Sequence, residues 1–166
     1  MASTEDRREM ILAYIHETIL TQIANANPPC FAYRNVGDID PINPETQEPQ
    51  LPGLILLDGN ETPVVSTKGH NVGGQGLLAT VMLLEPQIYV ALMPRTANKG
   101  VGPELSLWRQ RIIHAINQDD NLRGLLGGNG EMSYDGLESD MHANGPMVGQ
   151  EAMKFSFSYT LDPRRL

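Results

Sequence analysis

The side chains that most often carry chemistry are few in this sequence and lie far apart. Its four histidines, His16, His70, His114 and His142, show neither of the helical spacings, H-x-x-x-H and H-E-x-x-H, that hold zinc. One cysteine, Cys30, excludes an intramolecular disulfide and a centre of several thiolates, so we interpret it as a small buried hydrophobe. No catalytic residue, metal or cofactor is therefore predicted. A histidine–carboxylate site assembled in space, as in a small cytosolic enzyme, stays open as an alternative.

Two short patterns imitate ligand-binding motifs. Gly74–Ala79 has the spacing G-x-G-x-x-A, but a dinucleotide-binding loop follows a strand and opens a helix, whereas this segment follows a polar stretch. Asp38 and Asp40 have the spacing of calcium ligands. However, Asn43 and Pro49 stand where an EF-hand needs a glycine and a bidentate glutamate. We interpret both segments as solvent-exposed loops.

Length and composition predict one domain whose partners are proteins. The chain has 166 residues, 40% of them hydrophobic, which predicts a single domain over 1–166. A net charge of −8 disfavours nucleic-acid wrapping, because phosphate contacts need clustered lysine and arginine. No apolar run approaches the ~20 residues of a membrane span, and Met1–Glu9 lacks the apolar core of a signal peptide.

Charge is unevenly distributed along the chain. Asn35–Glu61 carries six acidic residues and no basic one, and Asn117–Gly145 carries six acidic residues and one arginine. Pro94–His114 has four basic residues against one acidic residue. Oppositely charged zones on one small domain could steer copies into head-to-tail contact.

Hydrophobic periods predict two main helices and several strands. Ile11, Ile15 and Ile19 recur every four residues in a first helix that we expect to be capped by Ser3 or Thr4. The clearest strand alternates apolar and polar residues over Met153–Leu161. In chain order the predicted elements are a helix over 4–25, a strand over 31–36, hairpin strands over 53–57 and 62–67, strands over 77–84 and 87–93, a helix over 103–118 and a strand over 153–161.

Glycine, proline and acidic clusters predict the connections. Asp58-Gly59-Asn60 between two apolar runs is typical of a hairpin turn, and Glu85–Pro86 predicts a kink, a bulge or a tight turn. Leu122–Leu126 is expected to form at most a short turn, and Glu131–Tyr134 a short strand. Long loops are predicted over 37–52, 68–76, 94–102 and 135–149. The fold class is therefore α+β, with a small, mostly antiparallel sheet and two main helices packed on one face.

The order of features from Leu77 onward is similar to that of a known group of proteins. A strand ending in Gln87–Met93 is followed by a loop and by the helical segment Leu105–Ile116, which contains Trp-Arg-x-Arg. Asn129–Gly136 comes next, and the alternating strand Met153–Tyr159 precedes a short basic end. This order resembles the tail terminator and related tail-completion (neck) proteins of long-tailed bacteriophages, in which an opening helix also precedes a small sheet.

The resemblance implies a virion structural protein without enzymatic activity or cofactor. Such proteins assemble as a ring, usually a homohexamer, that caps the tail tube, stops its polymerisation and joins the tail to the head connector. The implied partners are other copies of the chain, the tail tube protein and the connector or neck protein, with genomic DNA passing through the lumen without sequence-specific binding. The location would be the head–tail interface of the virion, after assembly in the host cytoplasm. A head-completion or neck adaptor on the portal side and a general protein-binding module are alternatives.

Two sets of charged residues are candidate contact sites in such a ring. An acidic lumen would let DNA slide without capture. The acidic residues expected at the lumen or rim are Asp38, Asp40, Glu45, Glu48, Asp119 and Asp120. The basic residues expected to meet a neighbouring protein are Arg95, Lys99, Lys154, Arg164 and Arg165.

Overall fold

A computed structural model describes residues 6–37, 39–64, 79–93, 102–141 and 149–161. These residues form an α+β fold, as predicted, with one five-stranded sheet in the order β1-β2-β3-β5-β4. The strands of this sheet are β1 Phe31–Arg34, β2 Gly53–Pro63, β3 Thr80–Ala91, β4 Met132–Met141 and β5 Gly149–Leu161. Among the described strands, only β1 and β2 pair in parallel, so the prediction of a mostly antiparallel sheet is confirmed.

The first helix is continuous but not uniform. It consists of α1 (Arg7–Ala13), a π-helical segment (Tyr14–Leu20) and α2 (Thr21–Ala26). The expected cap at Ser3 or Thr4 is wrong, because Asp6 is the N-cap and its carboxylate accepts the backbone N–H of Arg8 at 3.1 Å. Aspartate caps a helix as well as serine does, so the sequence is also compatible with a helix that begins at Arg7.

The second half contributes two more helices. The predicted second helix is α3 (Gly102–Asn117), which buries Leu105, Trp108, Ile112 and Ile116 on one side. The expectation of a mere turn over Leu122–Leu126 is wrong, because α4 (Asp120–Leu126) is a helix capped by the Asp119 carboxylate. A glycine inside a short segment lowers helix propensity, but burial of two leucines outweighs it.

The predicted hairpin at Asp58-Gly59-Asn60 is wrong, because β2 runs straight through it with a bulge. Leu57 faces Gln87 and Asn60 faces Glu85, so β2 carries one residue more than β3 at this point. Gly59 has a φ of 70°, and a Cβ built on it would lie 1.9 Å from the Glu85 carbonyl oxygen. The bulge stands beside Pro86, which has no N–H to give to the ladder.

A second bulge explains why β4 is longer than the sequence pattern indicated. The predicted loop over 135–149 is wrong for its first part, because β4 continues to Met141. The pairing of β4 with β5 shifts by one residue between Tyr134 and Gly136, and Gly136 has a φ of 124°. The extra residue interrupts the period of two, which is the signal that a sequence reading depends on.

Two hydrophobic clusters lie on opposite faces of the sheet. The main core joins the first helix, α3 and α4 to one face, so the prediction that the helices share a face is confirmed. A smaller cluster on the other face, called the outer face here, consists of buried Leu51, Ile55 and Ala91 with Tyr33 and Ile39 packed against them. Of the predicted loops, residues 39–52 contain no helix or strand, while 68–76 and 94–101 lie outside the described residues.

Candidate interaction surfaces

The acidic loop (residues 37–52) is folded onto the outer face of the sheet. Ile39 and Leu51 belong to the smaller hydrophobic cluster, which ties the loop to β1, β2 and β3. Ile42 and Pro49 form an antiparallel bridge. The side-chain oxygen of Asn43 accepts hydrogen bonds from the backbone N–H groups of Glu45 and Thr46. These contacts give the loop a defined shape although it has no regular secondary structure.

Its described carboxylates all face solvent. Asp40, Glu45 and Glu48 are exposed, and none of the three forms an ion pair with another described residue. Asp38 lies outside the described residues. Among the described residues, the acidic loop therefore presents negative charge without an ion-pair partner, on a fixed support.

The two other predicted acidic residues have local partners. Asp119 accepts the Leu122 N–H at 2.8 Å and the Tyr14 hydroxyl at 3.0 and 3.1 Å, so its carboxylate holds α4 against the first helix. Burial is the main cause that raises the pKa of Tyr14. Asp120 is exposed and pairs with Arg123 at 3.0 Å. A lumen role for either residue stays a prediction.

Of the predicted basic contact residues, only Lys154 is described. It lies on the outer face of β5, and its Nζ is 2.5 Å from Oε1 of Glu138 on β4. Arg95, Lys99, Arg164 and Arg165 lie outside the described residues. Whether these residues meet a neighbouring protein stays a prediction, and Lys154 already has one acidic partner within the chain.

An arginine clamp, formed by Arg34, Glu9 and Asp58, ties α1 to the edge of the sheet. Arg34 donates to both Glu9 oxygens at 2.7 and 2.8 Å and to both Asp58 oxygens at 2.8 and 2.9 Å. Hydrogen bonds from Arg34 are the largest cause that lowers the pKa of both carboxyls. No sequence pattern indicated this clamp, because its members come from three separate elements.

Glu151 is the buried carboxylate that the sequence reading missed. It is only 6% exposed, and its Oε2 has no hydrogen-bond partner among the described residues. Burial raises its pKa, an effect that the nearby Arg109 partly offsets. Arg109 itself donates to the Tyr134 hydroxyl at 3.0 Å. The alternating pattern of β5 could have indicated that Glu151 is buried, since Glu151 is in phase with the buried Met153 and Phe155.

Replacing Glu151 with glutamine is expected to raise the free energy of unfolding by about 1 kcal/mol at pH 7. A carboxyl whose pKa is raised by folding stabilises the protein in its protonated form, below the unfolded pKa of about 4.3. That contribution is lost as pH rises through the folded-state pKa. Urea unfolding at pH 4 and pH 7 should therefore show a gain for E151Q that exists only at the higher pH. The exposed Glu48→Gln serves as the control, and a gain that is equal at both pH values would contradict the assignment.

The described candidates for enzyme chemistry lie on different elements. His16 lies 3.4 Å from the Ala32 carbonyl oxygen, His114 is exposed on α3, and the other two histidines lie outside the described residues. Cys30 is buried, as predicted, and burial raises its pKa to about 11, which makes it a poor nucleophile. Among the described residues, no group of three or more histidine, cysteine, aspartate or glutamate side chains could hold a metal ion.

An apolar groove lies between α3 and the edge strand β4, and we call it the α3–β4 groove. Its cavity has a volume of about 90 Å³. The lining residues are Ile113, Ile116, Asn117, Met132, Ser133, Tyr134 and Phe155. Leu137, on the same face of β4, is 38% exposed. α3 therefore leaves the helix-side face of β4 partly open.

Within the described ranges, no helix is both long and apolar enough to cross a bilayer. The candidate surfaces described above are an acidic loop at one side of the sheet and a groove with an open strand edge at the other.

No protein-family model matches the chain, and no curated protein sequence matches it.

Proposed function

We propose that this protein is a virion structural protein that forms a homo-oligomeric ring, usually a hexamer in the group it resembles, and caps a bacteriophage tail tube. The ring stops tube polymerisation and joins the tail to the head connector. The observation that carries this proposal is the pair of unlike surfaces on one small domain. A ring subunit needs two different complementary surfaces, because each copy contacts one neighbour with each of them.

The two surfaces belong to opposite sides of the sheet. The acidic loop packs on the outer face through Tyr33 of β1 and Ile55 of β2. The α3–β4 groove lies on the helix side next to β4, which is the other edge of the sheet. Surfaces on opposite sides of the sheet can face different partners, so the acidic loop can face a lumen while head-to-tail contacts elsewhere on the domain close the ring.

The charge of the acidic loop supports a passage for DNA. Asp40, Glu45 and Glu48 are exposed on a loop that the smaller hydrophobic cluster fixes in place. Carboxylates lining a lumen repel phosphates, so DNA would pass without being held. Basic residues in the same position would capture it.

Native mass spectrometry of the full chain tests the ring. A single closed oligomer with a central opening is the expected result, and a monomer at all concentrations would contradict it. Pull-downs then separate the two structural roles. A tail terminator retains tail tube protein, whereas a head-completion or neck adaptor retains the portal ring instead.

A further inference from the structure

The two edges of the sheet differ in how well they are covered. β1 has four residues, the His16 ring lies against its Ala32 carbonyl oxygen, and the arginine clamp holds its last residue. β4 has ten residues and pairs with β5 alone among the described strands. The far side of an edge strand presents backbone N–H and C=O groups that can pair with another chain.

The helix-side face of β4 adds apolar surface to this open edge. Met132, Tyr134 and Phe155 line the α3–β4 groove together with Ile113 of α3. Leu137 extends the apolar surface along the strand. A strand that paired with β4 would therefore direct every second side chain toward an apolar surface, as in other cases of strand addition.

Charge decides what kind of strand fits there. Residues 131–141 include four acidic residues and no basic one. Glu131, Asp135 and Glu138 are exposed, and among the described basic side chains only Lys154 pairs with one of them, Glu138. Pairing of β4 with the β4 of a second copy would set acidic side chains against each other, which destabilises a sheet.

We propose that β4 accepts, as a sixth strand, an extended basic segment of a partner protein. Alternate apolar residues of that segment enter the α3–β4 groove, while its lysine or arginine residues face the carboxylates of β4. The proposal goes beyond ring formation, since it defines the strand that β4 accepts whichever protein supplies it.

A synthetic peptide of alternating residues, acetyl-Arg-Val-Arg-Leu-Arg-Val-Arg-amide, is the probe. The full chain is expected to bind a fluorescein-labelled form of this peptide saturably in fluorescence anisotropy, and binding of the unlabelled peptide should slow amide hydrogen exchange in β4. The same peptide with proline in place of leucine cannot pair fully and should bind about tenfold more weakly. Absence of binding, or equal binding of both peptides, would overturn the proposal.

Two matched pairs of variants locate the binding site. Glu138→Lys is compared with Glu45→Lys, which changes net charge equally but lies on the acidic loop. Leu137→Asp is compared with Leu107→Asp, since Leu107 is 45% exposed on α3 and is not a lining residue of the groove. The β4 variants should weaken binding about tenfold and the controls less than about threefold.

The outcomes separate this proposal from the proposed function. Equal losses within each pair would mean that the peptide follows overall charge, and the strand site would be wrong. Self-association that Leu137→Asp abolishes, without peptide binding, would show that a second copy covers β4 and would also overturn it. A normal ring without peptide binding refutes the strand site alone, whereas peptide binding by a lasting monomer refutes the ring alone.

Discussion

Substituting alanine for Gly59 is expected to lower the free energy of unfolding by about 3 kcal/mol. Two costs add at this position. The φ of 70° disfavours any residue with a Cβ, and that Cβ would lie 1.9 Å from the Glu85 carbonyl oxygen and 2.9 Å from the Pro86 Cα. Backbone atoms of a central strand do not move aside as the end of a flexible side chain does. β2 and β3 would have to separate at the bulge.

Two other glycines provide controls that separate the cost of backbone strain from the cost of the steric clash. Gly136 has a φ of 124° with open space around its Cβ position, so Gly136→Ala tests backbone strain alone. Gly124 lies in α4 with nothing within 4 Å, and Gly124→Ala is expected to be neutral or stabilising by up to about 1 kcal/mol. Urea unfolding of the three variants checks the order. A Gly59→Ala protein as stable as Gly136→Ala would contradict the close approach of β2 and β3.

Replacing Arg34 with methionine is expected to cost about 2 kcal/mol of unfolding free energy at pH 7. Methionine keeps most of the packing of the side-chain stem, but Glu9 and Asp58 lose four hydrogen bonds between them. The Asp58 side chain is 19% exposed, so little water can replace the guanidinium. The loss also frees α1 from the end of β1, where the chain enters the acidic loop.

The pH dependence of this loss has a defined sign. Folding lowers the pKa of both Glu9 and Asp58, so their contribution is fully present above their unfolded pKa values of about 4. It is lost as pH falls through the folded-state values. The difference in stability between R34M and the unsubstituted protein should therefore shrink below pH ~4. Arg123→Met removes an exposed ion pair with Asp120 and an exposed hydrogen bond to the Asn117 carbonyl oxygen, and it should cost at most about 0.5 kcal/mol. An equal cost for Arg34→Met would argue against the clamp.

Local periods were sufficient to predict the α+β class and the main elements. Ile11, Ile15 and Ile19 marked the first helix, and the alternation from Met153 onward marked β5, because each of these elements buries one regular face. Two of the predictions failed where one inserted residue broke the period. Asp58-Gly59 has the composition of a turn, yet pairing with β3 carries the chain straight on.

Long-range contacts account for what the sequence could not indicate at the candidate sites. Nothing near Arg34 in the sequence shows that Glu9 and Asp58 will reach it, since the sheet and the helix bring them together only on folding. The α3–β4 groove likewise depends on how far α3 extends over β4. In contrast, the exposed carboxylates of Asp40, Glu45 and Glu48 could be predicted, because burying a carboxylate without a partner costs too much free energy.

We propose that the protein acts through contacts between its own copies. The native mass of the full chain tests this proposal most directly. The account predicts one closed oligomer, a hexamer in the group that the sequence resembles, with an opening wide enough for duplex DNA in electron micrographs. A chain that stays monomeric from nanomolar to high micromolar concentration would contradict it.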